Sequence, residues 1–449
     1  MTTAGWSGPG EPGYTAATAV FNLAHPAEPA AAVTVRTAGE IRAALAAAAE
    51  RDLRVHVLGT GHGSANARSM AGALLVRTEP DGPVEVDSAA GIARIPAGTR
   101  WGAVVDAAMP HGLAAPHGSS PLVGVVGYLL RGGVSFYGRY TGLASNRVRA
   151  IELVTADGEH RRTDATTDPE LFRALRGGGG GFGIVTAVEV ELFEAPSVVT
   201  GAAYWPAAHA ERLLATWLAW SRTAPREVTT SLRLMNLPPL PEIPEPLRAG
   251  TVLCVDGVAL GHTADPATAL GQADDLLGPL REIAEPLLDT WHPAKPADVV
   301  QTHMDPTEPF PIFGDHLLFG DLGEAAAERF LGLLRKDTTL TNAELRQLGG
   351  ALAEPSPAGG VLDHLPAGFA YMGGGVPFGV TPEAIVARCA EIREALSPWA
   401  LPGTAPSFVE NLEQPQGHLS AAQVAEVTRV RARVDPHGRF AGDVSPNAS

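Results

Sequence analysis

The sequence predicts an α+β protein of two unlike parts: a glycine-rich part that binds a cofactor, and a part in which helices cover an antiparallel sheet. Two observations carry that reading. Of 51 glycines, 23 lie between Gly59 and Gly183, in clusters that each meet the end of an expected strand. From about residue 197 the glycines thin out, and helix-length amphipathic stretches alternate with strands. The composition sets the outer limits. With 449 residues and 45% hydrophobic content the chain can bury one large core or two moderate ones, which excludes global disorder and collagen-like repetition. A formal charge of −16 argues against nucleic acid or an anionic membrane as partner. Two cysteines, Cys254 and Cys389, are too few for a disulfide framework or a Cys-rich zinc site. Small-molecule chemistry is left as the leading class. No basic residue precedes Arg36 and no apolar run approaches the ~20 residues of a membrane span, so the expected location is cytoplasmic.

The elements follow in order. Residues 1–28 read as a tail or a strand-and-loop wrap. Thr37 and Glu40 form a capping box, and Ile41, Ala44, Leu45 and Ala48 mark the apolar face of the helix that ends near Arg51. A strand at Arg54–Leu58 runs into Gly59-Thr60-Gly61-His62-Gly63-Ser64. Short strands are expected at Leu74–Val76, Val84–Val86 and Ala93–Ile95, then a helix at Trp101–Met109 and a glycine-rich stretch over Gly118–Gly142. Ile151–Ala156, the turn Asp157-Gly158 and His160–Thr163 make a hairpin. Asp168-Pro169-Glu170 opens a helix that ends in Arg176 and five glycines, and a strand follows at Ile184–Leu192. Further helices are expected at Ala207–Arg222, Pro266–Leu277, Glu324–Arg335, Pro382–Leu396 and Ser420–Val434. Strands are expected at Thr229–Leu234, Thr251–Leu260, Leu345–Leu352 and Phe408–Leu412. The Pro-rich stretch Leu237–Leu247 reads as an extended surface loop.

Glycine at a strand end lets backbone N–H groups approach an anion, because no Cβ intervenes. The clusters therefore predict a phosphate-bearing cofactor. Gly178, Gly180 and Gly183 satisfy G-x-G-x-x-G, but a helix precedes them and a strand follows, the reverse of the dinucleotide fingerprint. Walker, H-E-x-x-H and G-x-S-x-G motifs are missing from the sequence.

Four blocks in order carry a family resemblance: Gly59-Thr60-Gly61-His62; Gly118-Ser119-Ser120-Pro121-Leu122-Val123-Gly124-Val125-Val126-Gly127-Tyr128; Tyr140–Asn146 leading to Leu153–Gly158; and Asp168–Thr186. On these, residues ~30 to 195 resemble the FAD-binding domain of the vanillyl-alcohol-oxidase superfamily. The whole chain resembles a bacterial member of its berberine-bridge-enzyme-like branch. The resemblance implies a two-part FAD-binding domain at 29–196 and a substrate-binding domain at 197–403. A tail at 1–28 would precede them, and a segment at 404–449 would return to the FAD domain. It places His62 where the family joins flavin through its 8α-methyl. Ser120 stands where doubly linked members have Cys, so FAD would be held through His62 only. Gly59, Thr60, Gly61, Gly63, Ser64, Gly118, Ser119, Ser120, Gly124, Val125 and Gly127 are the implied cofactor contacts. Val123 falls where oxygen access is controlled, and the backbone of Ile184 and Val185 would face the flavin pyrimidine. Arg131 replaces one of three glycines, and Asp443 falls near a C-terminal Asn of the family.

The activity implied is oxidation of a small-molecule alcohol, sugar-like or a secondary metabolite, by hydride transfer to flavin N5, with O2 as final acceptor giving H2O2. A flavin dehydrogenase, an oxygenating or cyclising flavoenzyme and a catalytically lapsed flavin-binding protein are the alternatives. Such chemistry needs a base for the substrate proton. Tyr371, Glu344, Glu410, His303 and His316 are the candidates from the substrate domain, and Tyr128 or Tyr137 from the FAD domain. Arg346 would lower a phenol's pKa or hold a carboxylate.

Overall fold

The computed structural model describes residues 5–241, 243–335, 337–410 and 417–442. A three-stranded parallel sheet in the order Ala31–Val35, Leu74–Thr78, Val55–Leu58 lies beside a five-stranded antiparallel sheet in the order Glu85–Asp87, Ile92–Pro96, Ile184–Glu191, Val148–Val154, His160–Asp164. Together these make the glycine-rich unit, the one expected to hold the cofactor. The helix Ala38–Glu50 shows why local signals suffice there. Thr37 accepts from the Glu40 amide, Glu40 returns a bond to the Thr37 amide, and the four expected apolar residues are the buried ones. Asp168 caps Pro169–Leu175 by a single bond, accepting from the Leu171 amide.

The second part is an eight-stranded antiparallel sheet. Its order is Leu288–Asp289, Ser197–Pro206, Val252–Gly261, Val228–Met235, Asn342–Gln347, Phe369–Gly375, Phe313–Phe319, with His292–Ala294 also on Ser197–Pro206. Helices Ala210–Ser221, Ala267–Ile283, Glu324–Leu334 and Pro382–Leu396 bury one face of it around Trp205, Trp217, Leu232, Leu345 and Tyr371. Because strand side chains alternate, the next residues along turn to the opposite face, toward the cofactor unit. The α+β class with helices over an antiparallel sheet is therefore observed.

Several elements differ from expectation. Residues 1–28 include a helix, Pro12–Thr18, whose Ala17 is buried. The strand expected at Leu345–Leu352 runs Asn342–Gln347 and stops before Gly349, at φ +77°, a left-handed conformation that leaves the ladder. Pro406–Phe408 is a 3₁₀ turn rather than a strand start, and residues 411–412 lie outside the described residues. Strands Ala31–Val35, Ser197–Pro206, Phe313–Phe319 and Phe369–Gly375 were not anticipated. No helix among the described residues is long and apolar enough to cross a membrane.

Candidate active site

A cavity of about 740 Å³ lies between the cofactor unit and the helix-free face of the large sheet. Its first wall is the loop after Val55–Leu58. Gly61 takes φ +81°, and a Cβ there would meet Val20 Cα at 2.6 Å, so the loop turns against the N-terminal segment only because the residue is glycine. Arg77 ties the two together, donating to Ala17 O and Gly59 O at 2.8 Å each. Phe21 then stacks on His62 with ring centroids 3.9 Å apart. Burial, helped by Arg100 and opposed by Asp305, lowers the His62 pKa to about 4. The ring is neutral at pH 7, and its Nε2 has no hydrogen-bond partner among the described residues.

The second wall is the Gly118–Tyr128 segment. Thr60 Oγ1 accepts from the Gly124 amide at 3.0 Å, which joins the two glycine loops, and Ser119 donates to Asp305 at 2.6 Å. Tyr128 is half-buried, its hydroxyl is buried with no hydrogen-bond partner among the described residues, and burial raises its pKa so that the phenol stays protonated. Of the expected cofactor contacts, Gly59, Thr60, Gly61, His62, Gly63, Gly118, Ser119, Ser120, Val123, Gly124, Val125, Gly127 and Val185 line the cavity. Ser64 lines a neighbouring cavity of about 590 Å³ instead, and the Ile184 side chain lies in the core below the parallel sheet. Asp443 lies outside the described residues.

The third wall is the sheet, where register decides which side chains meet. Arg233 stands opposite Glu344, Glu344 opposite Met372, and Ser231 opposite both Asp256 and Arg346. Glu344, only 1% exposed, accepts from Ser231 Oγ and Arg346 Nε at 2.7 Å each, and its Oε2 pairs with His303 Nε2 at 3.2 Å. His303 Nδ1 lies 2.9 Å from Asp256, which Arg233 pairs at 2.5 Å. Burial opposes charge in this group. For Glu344, Arg346 and His303 outweigh burial and hold the carboxyl far below its ordinary range. For His303, burial and Arg233 push down, but Asp256, Glu344 and Asp305 prevail and raise it to about 9. Glu410 is different. Burial, opposed only by Arg131, raises it to about 7, and it lines both cavities where they meet.

The structure thus brings Glu344, Glu410 and Tyr128 to one cavity, with His303 and Arg346, and does not bring Tyr371. One residue before Met372, Tyr371 points to the opposite face, is 0% exposed and packs edge-on against Phe330. A base role for Tyr371 is corrected on that geometry. Tyr137 and His316 are likewise buried away from the cavity lining. Arg233, Asp256, Asp305 and Phe21 were missed. Arg233 and Asp256 had a signal: each is the one charge inside its strand, and such a residue needs a buried partner.

Whether FAD fits can be asked of these residues. Gly59 and Gly127 face the cavity with nothing within 4 Å of the place a Cβ would take, so side chains there would fill the bed. His62 Nε2 and the Tyr128 hydroxyl are buried polar groups awaiting a partner. A flat, polar-edged group between these walls fits.

Comparison with known proteins decides the cofactor. Residues 29–164 match the family model described as "FAD binding domain". That segment is similar to FAD-binding domains, which supports FAD as the cofactor. An FAD-dependent monooxygenase (FUP4) of Fusarium proliferatum is 36% identical over 179 residues, 40% of this chain and 35% of its own. The (R)-6-hydroxynicotine oxidase of Paenarthrobacter nicotinovorans is 34% identical over 188 residues, 42% of this chain and 41% of its own. The matches thus span about two-fifths or less of these relatives' length. Across the whole molecule, the structure of 6-hydroxy-D-nicotine oxidase from Arthrobacter nicotinovorans superposes with a TM-score of 0.84 at 22% identity, covering 98% of this chain and 97% of that one. The fold is the one this oxidase has.

Proposed function

We propose that the chain is an FAD-dependent oxidase of the berberine-bridge-enzyme-like branch, bacterial and cytoplasmic, acting on a small-molecule alcohol with O2 as final acceptor. One observation carries the reading. A single cavity joins the FAD bed, with its neutral His62 and unpartnered Nε2, to a carboxylate poised to ionise near pH 7. When bound, FAD supplies the acceptor for the two electrons of alcohol oxidation and passes them to O2, giving H2O2.

The chain's own groups divide the remaining work. Glu410, as carboxylate, takes the hydroxyl proton, because a base is most effective with a pKa near the working pH. Glu344 is a poor base, since its lone pairs already serve Ser231, Arg346 and His303; it positions those two cations. Tyr128 offers a neutral phenol as hydrogen-bond donor to a substrate oxygen. His62 is the residue for a single covalent attachment. Cys254 and Cys389 are free, buried thiols and neither lines this cavity.

Two measurements test the reading. Anaerobic mixing with a panel of alcohols should bleach the flavin absorbance, and admission of air should restore it rapidly with H2O2 formed. Slow reoxidation would make the chain a dehydrogenase. Acid precipitation should leave yellow protein, and flavin released wholly into the supernatant, or retained in His62→Ala, would refute the His62 bond.

A further inference from the structure

The substrate side of the cavity is made of unlike materials. Met235, Leu237, Leu240, Ile243, Met304 and Met372 give it an apolar wall, to which the Pro-rich loop contributes three residues. Leu240 and Met304 remain exposed at 41% and 58%, and Met304 is held at φ +55°, a conformation unfavourable for a side chain of its size. Thr341 and Asn342 interrupt this wall, but the Thr341 hydroxyl already accepts from the Val376 amide at 3.2 Å. Apart from the buried Asn342 Oδ1, which has no hydrogen-bond partner among the described residues, this wall offers a neutral sugar little to bond.

The charged floor is ion-paired throughout and keeps guanidinium donors to spare, the buried Arg233 Nε among them. Glu344 is engaged by Ser231, Arg346 and His303, Asp256 by Arg233 and His303, and Asp305 by Ser119. Arg346 is 6% exposed and lines the cavity. Its Nε donates to Glu344 and its Nη2 lies 3.2 Å from His303 Nε2, while Nη1 has no protein partner among the described residues. Phe136 and Phe408 each face its guanidinium at 5.4 Å and fix its plane. A rigid, desolvated guanidinium with a free N–H favours an oxyanion over a neutral oxygen.

We propose that the substrate is an apolar ring compound bearing an oxyanion, a carboxylate or an ionised phenol, which Arg346 binds while the ring lies on the methionine and leucine wall. This rests on the oxidoreductase reading of the same cavity. It names a substrate class that excludes neutral sugars.

Calorimetric titration of the flavin-loaded protein tests it without turnover, with 4-(hydroxymethyl)benzoate, 4-nitrophenolate, 4-methylbenzyl alcohol and cellobiose as probes. At least one anionic probe should bind about tenfold or more tighter than the neutral alcohol, the worth of a charge-assisted hydrogen bond, and cellobiose should bind weakest. The two anions separate a carboxylate site from a phenolate site. Arg346→Gln should abolish the preference while the flavin spectrum is retained. Equal binding of anionic and neutral probes, a preference that survives in Arg346→Gln, or tightest binding of cellobiose overturns the proposal. If that variant does not fold, the ranking of the four probes on the natural protein still decides. Oxidation of neutral alcohols with no anion preference would overturn this inference alone. Anion binding with no alcohol oxidised would overturn the oxidase reading alone.

Discussion

Glu410 and Glu344 are carboxylates on the wall of one cavity, yet their surroundings drive them apart. Glu344 is held ionised by two cations and a serine hydroxyl, whereas Glu410 is desolvated to a pKa of about 7. A base is active when ionised, so kcat/KM should fall as pH drops below about 7 and level off above it. Glu410→Gln should lower kcat by roughly 10²–10⁴ and remove that limb, with flavin content unchanged. A full-rate Glu410→Gln enzyme would assign the base elsewhere. His62 lines the cavity from the glycine loop where the sequence placed it, whereas Glu410 reaches the cavity without the strand expected at Phe408–Leu412, whose start is a 3₁₀ turn. The place of Tyr371 was not legible in the sequence, since the parity that turns it from the cavity is fixed by the register Leu345 to Tyr371, which only sheet pairing reveals. His303 carries a second prediction. Asp256, Glu344 and Asp305 raise it from 6.5 to about 9 against Arg233 and burial, with Arg346 also in contact. The sign follows from that rise. The stabilisation is complete below about pH 6.5 and is lost as pH climbs to about 9. Denaturant unfolding should therefore show stability declining over that interval, and His303→Gln should flatten the decline.

Among the elements, those with local signals were legible: the capped helices Ala38–Glu50, Pro169–Leu175 and Pro382–Leu396, and the hairpin around Asp157-Gly158. Strands such as Ser197–Pro206 were not, because burial on both faces removes the alternation that marks a strand. The Pro-rich loop shows the same limit from the other side. Its composition predicts an extended loop, but only the fold shows Leu237 and Ile243 turned into the cavity. The helix Ala421–Val434 illustrates how an element serves the site at a distance. Its Arg431 donates to Gly178 O at 2.6 Å and Gly180 O at 2.9 Å, and Gly180 and Gly181 line the cofactor cavity. The guanidinium therefore holds a glycine turn that has few side chains of its own to fix it. Arg431→Met should raise the rate at which noncovalent flavin is lost from a His62→Ala background several-fold and leave the helix intact by circular dichroism. An unchanged off-rate would show that the turn is held by its backbone alone.

At the scale of the whole molecule, the site exists only if the cofactor unit and the large sheet keep their places, and one buried cation bears on that. Arg139 stands on the short helix Gly138–Thr141 of the glycine-rich half and is 6% exposed. Its Nε donates to Val228 O at 2.8 Å, its Nη2 to Ala224 O at 3.0 Å, and its Nη1 to Leu348 O. These carbonyls lie at or shortly before the start of Val228–Met235 and just past the end of Asn342–Gln347, the two strands that present Arg233, Glu344 and Arg346. No opposing carboxylate is among these bonds; the charge is satisfied by carbonyl dipoles, and burial lowers its pKa to about 10 while leaving it protonated at pH 7. Gly350 packs against the Arg139 carbonyl, where a Cβ would come within 2.5 Å, so the contact is close on the backbone side too. Replacement by Met keeps most of the volume and removes every donor. Each buried carbonyl left without a partner costs about 1–3 kcal/mol, partly relieved by relaxation, so Arg139→Met should destabilise the protein by about 2–4 kcal/mol. Arg139→Lys keeps the charge but lacks the planar fork that reaches three carbonyls together, and should fall between the two. Because the strands beyond the contact carry the charged floor, Arg139→Met should also raise KM more than it lowers the FAD content of purified protein. A melting temperature equal to that of the natural chain would show that the two halves are held by their apolar contact, with Arg139 a bystander.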